Sequence, residues 1–125
     1  MKTNIRFFKV TGELQRDIFN IVISPWKLLL ETKRYYEIKP ENGAVKRIYK
    51  EKLNTLITET KHYANGVLTC SAFCTEDYID EVQKNILQQL QLSIVAYMED
   101  LQLNQLALDK HLKLLVNRQL LEVGN

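Results

Sequence analysis

The residue pair best suited to nucleophilic catalysis is His62 and Cys70. A thiol becomes an active nucleophile when a base such as histidine lies within hydrogen-bond reach. The Asn65-Gly66 turn signal between the two would bring them onto neighbouring strands. However, no signature of a catalytic cysteine surrounds Cys70, and a small buried Cys is a common core residue. We therefore expect that the protein is not an enzyme.

Metal ligands with a recognisable spacing are also missing from the sequence. Cys70 and Cys74 would share one face of a strand, but at 3.3 Å per residue they would lie roughly 13 Å apart. Zinc needs four ligands around one point. No phosphate-binding, dinucleotide-binding or calcium-binding loop motif is present. We expect neither a metal site nor a cofactor.

Basic and aromatic residues alternate in two segments, Lys33-Arg34-Tyr35-Tyr36 and Lys46-Arg47-Ile48-Tyr49-Lys50. Arginine can hold a phosphate through two hydrogen bonds, and an aromatic ring can stack on a base. Arg34, Tyr36 and Arg47 are therefore candidate contacts for a small phosphorylated nucleotide. The alternative is that these side chains only decorate the solvent-facing side of an antiparallel sheet, where cross-strand pairs stabilise it.

The charges are distributed unevenly, although the net charge is only +2. Residues 1–62 carry 13 Lys and Arg against 7 Asp and Glu, whereas residues 63–125 carry 4 against 8. Such an asymmetry is typical of an anion-binding half, although two solvated faces would also explain it. We do not expect binding to extended nucleic acid, because the acidic half would repel phosphates.

Length and composition favour a single domain spanning residues 1–125. Apolar residues make up 46% of the chain and charged residues 26%, which is too apolar for disorder and too charged for a membrane span. Arg6 and Lys9 interrupt any apolar stretch near the start, so we expect no signal peptide. These features predict a cytoplasmic protein that does not contact membranes.

The alternation of residues predicts an α+β fold in which residues 1–74 form an antiparallel sheet. We expect a meander of five or six strands. Its turn signals are Thr11-Gly12, Pro40-Glu41-Asn42-Gly43 and Asn65-Gly66, and Ser24-Pro25 should end a strand. In the second hairpin, Gly43 can adopt a positive φ at no steric cost.

Residues 75–123 form the predicted helical part. Thr75 is a candidate N-cap, and apolar residues then recur at three- and four-residue spacings. We expect two C-terminal helices with a break near Leu103-Asn104, because one helix of this length is unusual in so small a domain. Since leucines lie on most sides of these helices, residues 76–123 are predicted to form a homo-oligomer interface.

The two basic segments, the Asn65-Gly66 turn and the sheet-then-helices layout together resemble the anti-Thoeris sponge proteins of phages. The resemblance implies an oligomer that sequesters cyclic ADP-ribose-type signals made by TIR-domain defence enzymes, without degrading them, in the cytoplasm of the host cell. It also implies that Phe73, Asn85 and Arg118 hold the adenine and the phosphates.

A second hypothesis is a phage protein that inhibits a host defence nuclease by direct contact, in the manner of anti-CRISPR proteins. The charge asymmetry would then serve as surface complementarity or as a mimic of DNA. An enzyme that uses Cys70 and His62 ranks third.

Overall fold

A computed structural model describes residues 5–58 and 66–123 of the chain. The strands are β1 (Phe7–Gln15), β2 (Ile18–Glu31), β3 (Tyr35–Pro40), β4 (Lys46–Tyr49), β5 (Leu56–Thr58) and β6 (Val67–Thr75). One helix, α1 (Ile79–Val123), follows them, and short 3₁₀ turns occupy Lys50–Lys52 and Glu76–Tyr78. The predicted α+β class, with an antiparallel sheet before helical structure, is confirmed.

The six strands form one curled antiparallel sheet in the order β4-β3-β2-β1-β6-β5. The first four strands are a meander, as predicted, but β6 pairs with β1 and places β5 at the far edge. The consecutive strands β4 and β5 therefore form opposite edges of the sheet. The segment between them reaches β6, where the Asn54 N–H donates a 2.7 Å hydrogen bond to the Phe73 carbonyl.

Two predicted strand boundaries are wrong. Thr11 and Gly12 lie inside β1, opposite Val22 and Ile21, and the chain turns instead near Arg16, whose φ is 56°. Pro25 does not end its strand either, because it pairs with Phe8 while β2 continues to Glu31. The proline is tolerated because β3 ends at Pro40, opposite Trp26. Among the described residues, Pro25 therefore has a strand partner only on the β1 side, so its missing N–H removes no described hydrogen bond to β3.

The predicted hairpin at Pro40–Gly43 is confirmed, since β3 pairs with β4 across it. Gly43 does not adopt a positive φ. Among the described glycines, Gly66 adopts one, at 69°. A Cβ on Gly43 would instead lie 2.7 Å from Cγ of Pro40. Strands β5 and β6 pair as expected. Asn65 and His62 lie outside the described residues, and so does most of the predicted turn.

Both faces of β6 are buried because its side chains alternate between two apolar layers. Phe73 belongs to the layer inside the curl, a cluster that also contains Phe7, Tyr36, Ile38 and Ile48. Cys70, Ala72 and Cys74 point to the other side and are fully buried, as are Val82 and Ile86 of α1. The first turns of α1 therefore pack on the outer side of the sheet, where a Cβ on Gly12 would meet Ile86 and Leu90.

The prediction of two helices with a break near Leu103-Asn104 is wrong, because α1 is continuous from Ile79 to Val123. No Gly or Pro lies between Glu76 and Val123, so no residue in that stretch disfavours the backbone hydrogen bonds of a helix. The helical part starts where predicted, although Thr75 makes no side-chain capping bond. Its N–H instead donates to Oδ1 of Asn54 at 3.2 Å.

The chain divides into two compact units, Met1–Gln91 and Leu92–Asn125. The first contains the sheet and the first turns of α1, and the second contains the rest of that helix. The assignment of residues 1–125 to a single domain stays a prediction. Among the described residues, no helix has the length and apolar character needed to cross a membrane.

Candidate anion-binding site

The six residues predicted to bind a ligand lie in four places: the buried cluster (Tyr36 and Phe73), the bend between β2 and β3 (Arg34), strand β4 (Arg47) and helix α1 (Asn85 and Arg118). Asn85 is half-buried in the first unit, whereas Arg118 is exposed in the second. Within the first unit, the structure places Tyr36 and Phe73 in one cluster.

Tyr36 and Phe73 are largely enclosed by other rings. The Tyr36 ring lies 4.8 Å from that of Phe7, and the Phe73 ring packs edge-on against Trp26 at 4.9 Å. Phe73 is only 2% exposed, so its ring is not an open platform for a base. Its faces are instead approached by cations.

Arg47 is already engaged by neighbours on the outer surface of β3 and β4. Its guanidinium stacks 4.1 Å from the centre of the Tyr35 ring and forms a 3.3 Å ion pair with Glu37. The hydrogen bond that Arg47 donates to Glu37, followed by the charge interaction with Tyr35, raises the pKa of Arg47. A ligand phosphate at this position would have to compete with the Glu37 carboxylate.

Lys50 is occupied in the same way. Its ammonium lies 5.0 Å from the centre of the Tyr36 ring and 2.7 Å from a carboxylate oxygen of Glu31. The Glu31 hydrogen bond is the largest cause of its raised pKa. Lys50 therefore offers less free positive charge than its position suggests.

Lys9 and Lys46 differ from Arg47 and Lys50, because neither forms an ion pair with an acid among the described residues. The Lys46 ammonium lies 4.9 Å from the centre of the Phe73 ring, and the Lys9 ammonium lies 5.6 Å from the same point. Lys9 comes from β1, next to Phe73 of β6 in the ladder, whereas Lys46 comes from the start of β4. The curl of the sheet thus directs two ammonium groups from distant strands towards one ring.

Further positive charge lines a groove near Phe73. Trp26 packs against Phe73 and also lines this groove. Lys27 and Lys39 stand directly opposite each other on β2 and β3, and Arg6 precedes Phe7, the partner of Trp26 on β1. All three cations line a groove of about 1120 Å³ together with Phe8, Trp26, Pro40 and the single acid Glu41. Like charges directly opposite each other destabilise a sheet, so a bound anion would relieve a repulsion built into this surface.

The cysteines have the character of core residues. Cys70 has Gly12 and Thr58 as its ladder neighbours on β1 and β5, while His62 lies outside the described residues. Burial raises the pKa of the Cys74 thiol to about 11, which keeps it protonated at neutral pH. Within residues 5–58 and 66–123, no cluster of three or more His, Cys, Asp or Glu could hold a metal ion.

Comparison of the chain with protein-family models, curated proteins and solved structures gives no match.

Sequence reasoning missed Lys9, Lys46 and Trp26 as members of one site. The two lysines are 37 positions apart in the sequence and come together only because the sheet curls. The detectable signal was the preference of ammonium groups for aromatic faces, but it does not identify which ring they share. Phe73 entered the predicted set through the family resemblance alone.

Proposed function

We propose that the protein is a non-enzymatic binding protein that captures a small phosphorylated nucleotide. The observation that carries the proposal is that the ammonium groups of Lys9 and Lys46 both approach the Phe73 ring. Neither ammonium group has an acidic partner among the described residues. Each cation–π contact contributes roughly 0.5–2 kcal/mol, depending on how far the amine is desolvated. That attraction is partly opposed by the mutual repulsion of the amines.

A phosphate or diphosphate between the two amines would turn this repulsion into attraction. Hydrogen bonds from ammonium groups to phosphate oxygens are short and about twice as strong as neutral ones. Because the two amines lie 5.6 and 4.9 Å from the same ring centre, we propose that one phosphate or diphosphate contacts both. In this role Phe73 orients the two lysines rather than stacking on a base.

The groove beside Trp26 is a second cationic surface, because Lys27 and Lys39 point to the opposite face of the sheet from Lys9 and Phe73. Its lining combines the aromatic side chains Phe8 and Trp26 with the cations Arg6, Lys27 and Lys39. A groove with apolar walls and a few convergent polar groups is the usual form of a small-molecule site. A nucleotide bound in this groove would pack its base against the aromatic side chains while the cations contact its phosphates.

The narrower proposal is a cyclic ADP-ribose-type immune signal, captured by a phage protein in the cytoplasm of the infected host cell. It is supported by the resemblance to the anti-Thoeris sponge proteins. The resemblance implies Asn85 and Arg118 as further ligand contacts, whereas the basic and aromatic segments suggest Arg34 and Arg47. Sequestration needs no nucleophile. The candidate nucleophiles, Cys70 and Cys74, are both buried.

The test is capture followed by recovery. Purified protein is incubated with cyclic ADP-ribose isomers and with cyclic di- and trinucleotides, freed of unbound ligand by ultrafiltration, and then heated. Mass spectrometry of the released material should show one nucleotide with its mass unchanged, in a ratio to protein near one or a simple fraction of one.

The other outcomes identify the competing hypotheses. Release of a cleaved product would indicate an enzyme and would contradict capture. Retention of no nucleotide, combined with specific recovery of a defence nuclease on the immobilised protein, would favour direct inhibition through protein contact.

A further inference from the structure

The second unit of the chain presents its apolar side chains to solvent. Between Leu92 and Gln119 of α1 no residue is buried. Twelve large apolar side chains in this stretch are 36–65% exposed: Leu92, Ile94, Val95, Met98, Leu101, Leu103, Leu106, Leu108, Leu112, Leu114, Leu115 and Val116. Helices are stabilised in proteins mainly by packing of an apolar face, so a helical stretch of this composition requires a partner.

One row of these side chains has the spacing of a coiled-coil seam. Ile94, Leu101, Leu108 and Leu115 are separated by seven residues each. Seven residues are close to two helical turns, so the four lie along one side of α1. Met98, Leu112 and Val116 fall beside them and widen the row. We call these seven residues the leucine stripe.

The leucine stripe is free of charge, whereas the rest of the helix surface is not. Gln105 and Gln119 are the polar residues that fall within it by the same spacing. The opposite side also carries leucines, at positions 92, 103, 106 and 114, but there they are mixed with Glu99, Lys110 and Lys113. An uncharged seam with charged surroundings is the pattern of a helix that packs against other helices.

The area of the stripe matches that of a stable interface. Seven side chains about half exposed hold on the order of 700 Å² of apolar surface, at about 100 Å² each. A standard interface buries roughly 800 Å² on each partner, and the largest apolar patch of a typical monomer is about 300–600 Å². The stripe alone therefore nearly supplies one half of a stable dimer interface.

We propose that the leucine stripe binds the same stripe on a second copy of this chain. A seven-residue repeat fits the holes presented by a helix with the same repeat, and the absence of charge in the stripe gives no basis for selecting a partner of opposite charge. The proposal is independent of nucleotide capture, since it rests on residues of the second unit.

The test is the mass of the purified full-length protein in solution, measured by light scattering at micromolar concentration. The first variant is Leu101→Glu/Leu108→Glu, which places two charges in the stripe. The matched control is Gln102→Glu/Ala107→Glu, which adds the same charges to the same turns of α1 outside the stripe. A third variant, Leu103→Glu/Leu106→Glu, places them on the opposite row.

We expect the unmodified protein to be a multiple of the single-chain mass, the Leu101/Leu108 variant to be a single chain, and the control to keep the unmodified mass. Fluorescence of Trp26, which packs on Phe73 in the first unit, shows whether the sheet of each variant is folded. A single-chain mass for the unmodified protein would overturn the proposal. So would an unchanged mass of the Leu101/Leu108 variant, or dissociation only by the Leu103/Leu106 variant.

Discussion

A Cβ atom on Gly12 of β1 would lie 2.5 Å from Cγ2 of Ile86, closer than two such carbon atoms approach each other in proteins. Ile86 is fully buried, and its Cγ2 methyl is attached directly to Cβ, so it has little freedom to move. The glycine therefore sets the distance at which the helix packs against β1, and it stands in the strand for that reason rather than to form a turn.

Replacing Gly12 with Ala should destabilise the protein by about 1–3 kcal/mol, the usual cost of overpacking a core. The measurement is denaturant unfolding followed by circular dichroism. In an Ile86→Ala background, which removes the opposing methyl, the same Gly12→Ala change should cost less. Equal costs in both backgrounds would mean that the two residues do not compete for space.

Asn54 connects the segment before β5 to β6 and has a positive φ of 64°. Its backbone N–H donates to Phe73 and its side-chain Oδ1 accepts from the Thr75 N–H. Asn54→Gly should lose the side-chain hydrogen bond, at about 0.5–1.5 kcal/mol, while relaxing the backbone. Asn54→Ala should lose the bond and add the strain of a left-handed conformation, roughly 1–2 kcal/mol more.

The order of stability of these two variants tests whether the left-handed backbone at Asn54 matters. Thermal or denaturant unfolding should place Asn54→Gly between the unmodified protein and Asn54→Ala. If Ala proved as stable as Gly, the left-handed backbone at this position would not be a constraint.

The thiols of Cys70 and Cys74 should be inert in the folded protein. Both are fully buried, and burial raises the pKa of Cys74 to about 11. A thiol reagent at mildly alkaline pH should label neither cysteine in native protein and both in denatured protein. Rapid labelling of native Cys70 would revive the hypothesis of a catalytic cysteine.

The raised pKa of Cys74 makes the stability of the protein depend on pH. The unfolded thiol ionises near pH 9 and the folded one near 11, so the folded state holds the proton more tightly. Stability should therefore fall as the pH rises from about 9 to about 11, and a Cys74→Ala variant should show a smaller fall over that interval. Identical slopes would show that Cys74 does not contribute.

Local sequence patterns predicted the elements that depend on local chemistry. Alternation identified the strands, the Pro40–Gly43 turn separated β3 from β4, and the helical part begins after Thr75 as expected. The sheet order was not predictable in the same way, because the pairing of β6 with β1 joins segments about 60 residues apart. Gly12 and Pro25 were misinterpreted because their roles depend on neighbours across the sheet and on α1.

The candidate site was predicted only in part for a similar reason. Residue types indicated that Arg47 and the neighbouring tyrosines could bind an anion, but the ion pair with Glu37 depends on the register of β3 and β4. Lys9 has no distinguishing local pattern, and Lys46 stands out only as part of a basic and aromatic segment. Their common feature, proximity to Phe73, exists only in the curled sheet.

Isothermal titration measures how much Lys9 and Lys46 contribute to nucleotide binding. The variant is Lys9→Gln/Lys46→Gln. The matched control is Lys33→Gln/Lys52→Gln, which removes the same charge from two exposed residues outside the cluster. The titrant is the phosphorylated nucleotide that the unmodified protein retains most strongly.

We expect the unmodified protein and the control to bind with similar affinity. The Lys9/Lys46 variant should bind at least about tenfold more weakly, because each hydrogen bond to a charged group contributes about 1.5–3 kcal/mol. No heat of binding with any cyclic ADP-ribose isomer or cyclic oligonucleotide, or equal affinities of the variant and its control, would contradict nucleotide capture through Lys9 and Lys46.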